Sequence, residues 1–332
     1  MTISALTSAV IFGLVFVQSV RPQDTETLPT PGFHHLHLDS TNPDAAIDFY
    51  VKTFPSTTRS TWGGMPALKS GKVYVLFTKV NAPPALVPQT AIWHFGWSVT
   101  DERASLKRFQ GIGTRVLPLY TGDGDGYVYV NSDTWPGAGG PGGALGRTKS
   151  QIADAKAQDI QPKGGAGFSY IGGPDGAIIE YLGNQPAERF NHIHMYQDDP
   201  FCAQLWYRKH LNAPAGGRGP QRTGADCKQA RGAERSWPAL EKEGMYRVPQ
   251  AGVAFDDVAL NWYMNQGDTP LAPTRRHLAD HFALSVGNLD AWIAKLQKEN
   301  VKFLETTYEL GDTRAIMIEG PSREAIEIVE VK

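Results

Sequence analysis

Cysteine is nearly missing from this 332-residue chain, which has only Cys202 and Cys227. That excludes a cysteine-built zinc framework and a disulfide-stapled miniature fold, both of which need several thiols. Charge imbalance is missing as well: 34 acidic residues face 32 basic ones, for a formal net charge of −2. No global field therefore draws the chain to nucleic acid or to anionic lipid. Nor does any apolar run reach the roughly 20 residues of a helical membrane span. The nearest is the N-terminus, MTISALTSAVIFGLVFVQSV, with no charged side chain and an apolar core from Ala9 to Val17. Its shortness predicts a secretory signal over residues 1–20, or an anchor at the membrane if it is not cleaved. An exported chain, periplasmic or secreted, is expected, and in that compartment Cys202 and Cys227 are expected to form one disulfide.

What is present suits a folded chain of two domains, with 41% hydrophobic and 20% charged residues. Residues 21–31, which include Pro22, Pro29 and Pro31, read as a linker. Beyond it one pattern occurs four times, aligned on a histidine: His35 in HLHLDSTNPDAAIDFY, His94 in HFGWSVTDERASLKRF, His192 in HIHMYQDDPFCAQLWY and His281 in HFALSVGNLDAWIAKL. Apolar residues stand one and three places on (Leu36 and Leu38, Phe95 and Trp97, Ile193 and Met195, Phe282 and Leu284), the period of a half-buried strand. Asn42, Asp101, Asp198 and Asn288 then signal helix starts, and the helix carries a large apolar residue fifteen places after the histidine: Tyr50, Phe109, Tyr207 or Leu296.

If the apolar neighbours face the helix, the aligned histidine faces the other side of the sheet, with His37, Gly96, His194 and Ala283 two places on. His34 is expected to face away from that side. One such histidine is commonly a structural residue, but four in register ask for another reason. Two later segments also match: GPDGAIIEYLG from Gly173 and GPSREAIEIVE from Gly320, which set Glu180 and Glu327 in apolar strands. A buried carboxylate needs a cation, a proton or hydrogen bonds.

These histidines and glutamates, with the G-P-x-x-x-x-I-E segments, resemble the vicinal-oxygen-chelate superfamily, which includes glyoxalase I, bleomycin-resistance proteins and extradiol dioxygenases. The resemblance runs from about Pro31 to the C-terminus. It implies an α+β fold of two domains, each of two paired βαβββ modules forming a cupped mixed sheet. Domain one would span 32–184 (modules 32–90 and 91–184) and domain two 185–332 (modules 189–275 and 276–332), with the crossing between them near Leu182 to Glu188. Carried over by position, the metal ligands are His35, His94 and Glu180 in the first domain and His192, His281 and Glu327 in the second. The ion would be Fe(II), Mn(II), Zn(II) or Ni(II), with open positions for substrate.

Glyoxalase I adds a further acidic ligand from a last strand, which VYVLFTKV and VALNWYMNQ do not offer. The extradiol dioxygenases place a tyrosine ten residues before the glutamate, as Tyr170 stands before Glu180, whereas Met317 precedes Glu327. The resemblance therefore implies dioxygenase chemistry or glyoxalase-type lyase and isomerase chemistry on a small oxygen-rich substrate, the first domain being the more active. Tyr170, His37 and His194 are the catalytic candidates, the two histidines because imidazole titrates near neutral pH. The alternative is a metal-free binding protein of the bleomycin-resistance kind. The glycine-rich tract from Thr121 to Gly167 reads as a loop over a pocket, and the basic insertion from Ala213 to Trp237 as a solvated loop.

Overall fold

The computed structural model describes residues 28–117, 167–214, 222–228, 251–265 and 270–331, together with the backbone of 127–128, 147–148, 153–154 and 157–159. The expected signal segment, most of the glycine-rich tract and much of the basic insertion lie outside the described residues. The first module is β1 (Gly32–Ser40), α1 (Pro43–Thr53), β2 (Thr58–Trp62), β3 (Met65–Ser70) and β4 (Val73–Lys79). The second has β5 (Ile92–Ser98) and α2 (Glu102–Gly111), then the short pair β6 (Tyr127–Val128) and β7 (Arg147–Thr148), then β8 (Phe168–Gly172) and β9 (Ile178–Leu182). The third is β10 (Arg189–Gln197), α3 (Pro200–His210), β11 (Ala251–Phe255) and β12 (Val258–Met264). The fourth is β13 (Ala279–Val286), α4 (Leu289–Lys298), β14 (Tyr308–Leu310), β15 (Thr313–Glu319) and β16 (Ala325–Glu330). None of the helices among the described residues is long and apolar enough to cross a membrane.

The strand and helix faces follow the period-two and helical patterns. All eight apolar residues after the aligned histidines are buried, as are Tyr50, Phe109, Tyr207 and Leu296. Asn42, Asp101 and Asn288 cap their helices by accepting from the backbone N–H of Ala45, Ala104 and Ala291. In the third module the cap is Asp199, not Asp198. Asp198 instead accepts a hydrogen bond from Asn265 at 2.9 Å.

Two mixed sheets result, with strand orders β14-β15-β16-β13-β1-β4-β3-β2 and β11-β12-β10-β5-β9-β8. The α+β class with paired βαβββ-like modules is as expected, but the partners are different. Module one shares its sheet with module four, through antiparallel β1 and β13, and module two with module three, through β10 and β5. The segment 183–188, expected as the crossing between domains, joins two modules of one sheet. Linker length explains the choice: six residues (183–188) separate β9 from β10, against twelve (80–91) and fourteen (265–278) at the other two junctions. A short connection favours neighbours, while the longer two cross between sheets and touch in parallel bridges at Ala85–His277 and Thr90–Ala272.

Modules adjacent in sequence are nevertheless held together by the two G-P turns. Asp175, in the turn before β9, accepts from the Ser40 hydroxyl (2.6 Å) and the Thr41 hydroxyl (2.8 Å) at the end of β1. In the equivalent turn before β16, Glu324 accepts from Gln197 (2.9 Å) and from the Tyr207 hydroxyl (2.7 Å). The sheets share one apolar core, in which Phe33 of β1 stacks on Phe190 of β10 and Phe54, the residue that ends α1, on Trp97 of β5.

Cys202 of α3 is bonded to Cys227, 25 residues on. Denatured, unreduced protein should show no free thiol to alkylating reagent. Replacing both cysteines by alanine should lower the unfolding free energy in a urea titration by about 3 kcal/mol, the loop-closure contribution expected for that span.

Candidate metal centres

Because β1 pairs with β13 and β5 with β10, the two expected ligand sets are regrouped. His35 and His94 stand on different sheets, as do His192 and His281, so neither His35–His94–Glu180 nor His192–His281–Glu327 assembles. His94, Glu180, His192 and His194 come together instead, as do His35, His37 and His281, in each set with ligand atoms within 4.8 Å of one another. Glu327 joins the second set through His35, with Oε2 3.3 Å from Nε2. Every residue expected as a ligand is therefore in a cluster, with partners from the other half of the chain, and His37 and His194 lie among them rather than beside them.

In the six-stranded sheet, His94 Nε2 lies 3.0 Å from Glu180 Oε2 and 2.7 Å from His194 Nδ1. His194 Nδ1 and His192 Nε2 are 3.3 and 3.9 Å from the same carboxylate oxygen. Ligand atoms about 2.1 Å from a common tetrahedral ion sit about 3.4 Å from each other; the 3.3 Å contact is close to that spacing, and the 2.7 and 3.0 Å contacts are hydrogen-bond distances. Asn261 Nδ2 lies 3.1 Å from His194 Nε2, and His194 Nδ1 faces the cluster with the Tyr263 hydroxyl 3.0 Å away. Burial, then the neighbouring His194, lowers the pKa of His94 to about 4. Burial works to raise Glu180, but His194 and His192 and the hydrogen bonds from His194 and His94 hold its carboxyl well below the usual range.

In the eight-stranded sheet, four buried atoms of this cluster have no hydrogen-bond partner among the described residues: His35 Nε2, His37 Nδ1, His281 Nε2 and Glu327 Oε2. Their other sides are occupied. His35 Nδ1 meets His34 Nδ1 (2.8 Å), His37 Nε2 meets Thr78 Oγ1 (2.7 Å), His281 Nδ1 meets Asp280 Oδ1 (2.6 Å), and Tyr308 donates to Glu327 Oε1. Burial, then His281, lowers His37 to about 3 and drives His35 well below its ordinary value. His35 is thus neutral at pH 7, and its 3.3 Å approach to Glu327 is not an ion pair. Burial raises Glu327, opposed by His281 and by the hydrogen bond from Tyr308. Leaving so many polar atoms buried and unpaired is costly, whereas the imidazoles of His35 and His281 and the Glu327 carboxylate, with His37 beside them, form a donor set that a divalent ion satisfies.

Tyr170 pairs with Glu180 across β8 and β9, its ring 5.3 Å from that of His94, so it belongs to the six-stranded sheet's cluster and not to His35 or His37. Met317 holds the same register against Glu327, yet this second cluster also has a phenol, Tyr308, from the neighbouring strand. The place across the sheet from each glutamate, where a fourth acidic ligand was sought, is filled by Asn261 opposite His194 and by Leu76 opposite His37.

Alternation missed one device, a bulge before each aligned histidine. The strand registers skip His34, Asn191, Asp280 and Trp93, each immediately preceding His35, His192, His281 or His94. The bulge re-aims the extra side chain, so His34 does not face away as expected but meets His35. Asn191 Oδ1 likewise lies 2.7 Å from His192 Nδ1. An H or N immediately before an aligned H was the available signal.

Residues 189–328 match the family model of the Glyoxalase/Bleomycin resistance protein/Dioxygenase superfamily. Solved structures share the fold over nearly the whole chain. A glyoxalase I variant from Zea mays matches with a TM-score of 0.56 at 11% identity, covering 91% of this chain and 94% of that one. Glyoxalase I from Zea mays gives 0.54 at 13%, covering 91% and 92%. A putative dioxygenase from Bacillus subtilis gives 0.54 at 11%, covering 91% and 85%. No curated protein matches the sequence.

Two predictions follow from the geometry. A Cβ on Gly96 would lie 2.3 Å from His192 Cε1 and 2.5 Å from the Glu180 carbonyl oxygen, so Gly96→Ala should displace His192 and weaken Co(II) binding at that cluster at least tenfold, read by absorbance titration. Metal-free protein should lose stability as pH falls. The unfolded histidines protonate near 6.5, while folded His94 and His34 refuse the proton until about 4 and His37 until about 3. The unfolded state therefore binds more protons in that window, and melting temperature should drop between pH 6.5 and 4. Glu327, Glu324 and Asp39 run the other way, because their raised pKa values weaken the fold as pH climbs through the carboxylate range, but with His35 and His210 also lowered they are three groups against five.

Proposed function

We propose that this protein is a divalent-metal-dependent enzyme acting on a small, oxygen-rich molecule bound through neighbouring oxygens, with His35, His281 and Glu327 as the ligands of the reacting centre. The observation that carries the reading is the convergence of four buried atoms unpartnered among the described residues, His35 Nε2, His37 Nδ1, His281 Nε2 and Glu327 Oε2, beside a cavity. The cavity measures about 610 Å³, within the range of small-molecule sites, and His37, His281, Thr78, Arg275 and Arg276 are among its lining residues. The centre preferred from sequence, with Glu180 and Tyr170, becomes a second site of the same class, held by His94, Glu180, His192 and His194.

A bound divalent ion would supply Lewis acidity, polarising a substrate oxygen and lowering the pKa of an attached hydroxyl. The rest of the work falls to side chains. His37, neutral and fixed through Thr78 with its Nδ1 turned inward, is placed to accept a proton from the substrate. Tyr308 holds Glu327 by one oxygen and leaves the other free. Arg275 and Arg276 put positive charge at the cavity wall, and the burial of the histidines keeps water from competing. The donor set suits Fe(II), Mn(II), Zn(II) or Ni(II). Lyase chemistry of the glyoxalase kind and dioxygenase chemistry both fit it, in keeping with the names of the similar structures.

Elemental analysis after anaerobic purification tests the reading. Wild type should carry up to two ions per chain, Glu327→Ala and Glu180→Ala about one each. In a panel of catechols, α-keto acids and hemithioacetals, Glu327→Ala should lose at least a hundredfold in turnover while Glu180→Ala keeps most of it. Metal-free wild type that binds such ligands unchanged would instead support a binding protein.

A further inference from the structure

The two clusters are alike in ligands but unlike in what stands behind one of them. In the eight-stranded sheet the bulge residue before His281 is Asp280, whose Oδ1 lies 2.6 Å from His281 Nδ1. Asp280 is itself held in place: its Oδ2 accepts from the Arg276 backbone N–H at 2.6 Å, and Arg275 Nε stands 3.1 Å from its Oδ1. Arg275 in turn reaches Glu305 at 2.7 Å. In the six-stranded sheet the same bulge position before His94 is Trp93, which meets the His94 ring edge to face at a centroid distance of 4.3 Å and presents no acceptor. His94 Nδ1 is buried with no hydrogen-bond partner among the described residues.

We propose that Asp280 is a positioning residue for one metal centre only. By accepting the Nδ1 proton of His281 it fixes the tautomer that leaves a lone pair on Nε2. It also locks the ring, and it makes the imidazole a stronger donor by placing a negative charge behind it. Arg275 and the Arg276 N–H keep that carboxylate ionised and aimed. In the six-stranded sheet the bulge residues are Trp93 and the uncharged Asn191, whose Oδ1 lies 2.7 Å from His192 Nδ1, so the two centres differ in how much of their affinity depends on a charged group in that position. This inference rests on the metal-dependent reading above.

Single-site proteins separate the two claims. Glu180→Gln leaves the Asp280 centre, and Glu327→Gln leaves the other. Co(II) binding is followed by visible absorbance, and in the loaded protein by the exchangeable, paramagnetically shifted ring N–H signals. In the Glu180→Gln background, Asp280→Ala should weaken Co(II) binding by ten- to a hundredfold, and Asp280→Asn, which keeps the size but not the charge, by less. The His281 ring N–H signal should shift and exchange faster with solvent in both, while the urea midpoint stays within the range of a surface substitution. In the Glu327→Gln background the same substitutions should leave Co(II) affinity unchanged. Unaltered affinity in the first background, or equal losses in both, overturns the positioning role. A Glu180→Gln protein that binds no Co(II) at all overturns the metal centre itself and the positioning role with it.

Discussion

The antiparallel pairing of one first strand with another is the constraint from which the rest of the architecture follows. When β1 lies against β13, and β10 against β5, the histidine sides of both strands coincide, so ligands tens or hundreds of residues apart in sequence come to share one concave face. The parallel addition of β16 beside β13 and of β9 beside β5 then sets a glutamate across from each pair. The apolar residues between the histidines are sent to the opposite face, where both sheets contribute to one core. Site and core are thus two sides of the same alternation, and neither can slip by one residue without the other.

Much of this was legible in the sequence because it is local. The four modules, their strand faces and three of the four helix caps follow from period and spacing, and the six ligand-type residues are singled out by those patterns together with the family resemblance. The partnership of modules was not, because four strands with the same pattern are interchangeable as partners. The deciding quantity was the length of the connections, and the short 183–188 segment marks a neighbour in the same sheet. The bulges were hidden for a related reason. A residue inserted opposite a strand leaves no trace in the alternation of its own strand, so His34 and Asp280 stand at positions that the period assigns to the other face. Tyr308, on a strand expected only to finish the sheet, was out of reach for lack of any motif around it.

The two clusters show how a repeated framework can diverge without losing its chemistry. Gly96 and Ala283 occupy the same place beneath a ligand, as do Asn261 and Leu76 across from a glutamate, and Trp93 and Asp280 behind a histidine. In each pair the backbone role is retained while the polar surroundings change. Glu180, ringed by imidazoles, is pushed towards its charged form, and Glu327 is pushed by burial towards its neutral one against the hydrogen bond from Tyr308.

The nested order of the modules also imposes a timetable on synthesis. The six-stranded sheet is made of consecutive modules, and its last strand, β12, ends at Met264, so all of its strands exist before the fourth module has been translated. The eight-stranded sheet is completed by the two ends of the chain. From the moment β1 leaves the ribosome it must wait for β13, about 240 residues later, with one edge and a set of histidines uncovered. The inner half is therefore in a position to serve as the template on which the outer half closes. A chain shortened at either end would retain the first ligand cluster while losing the second.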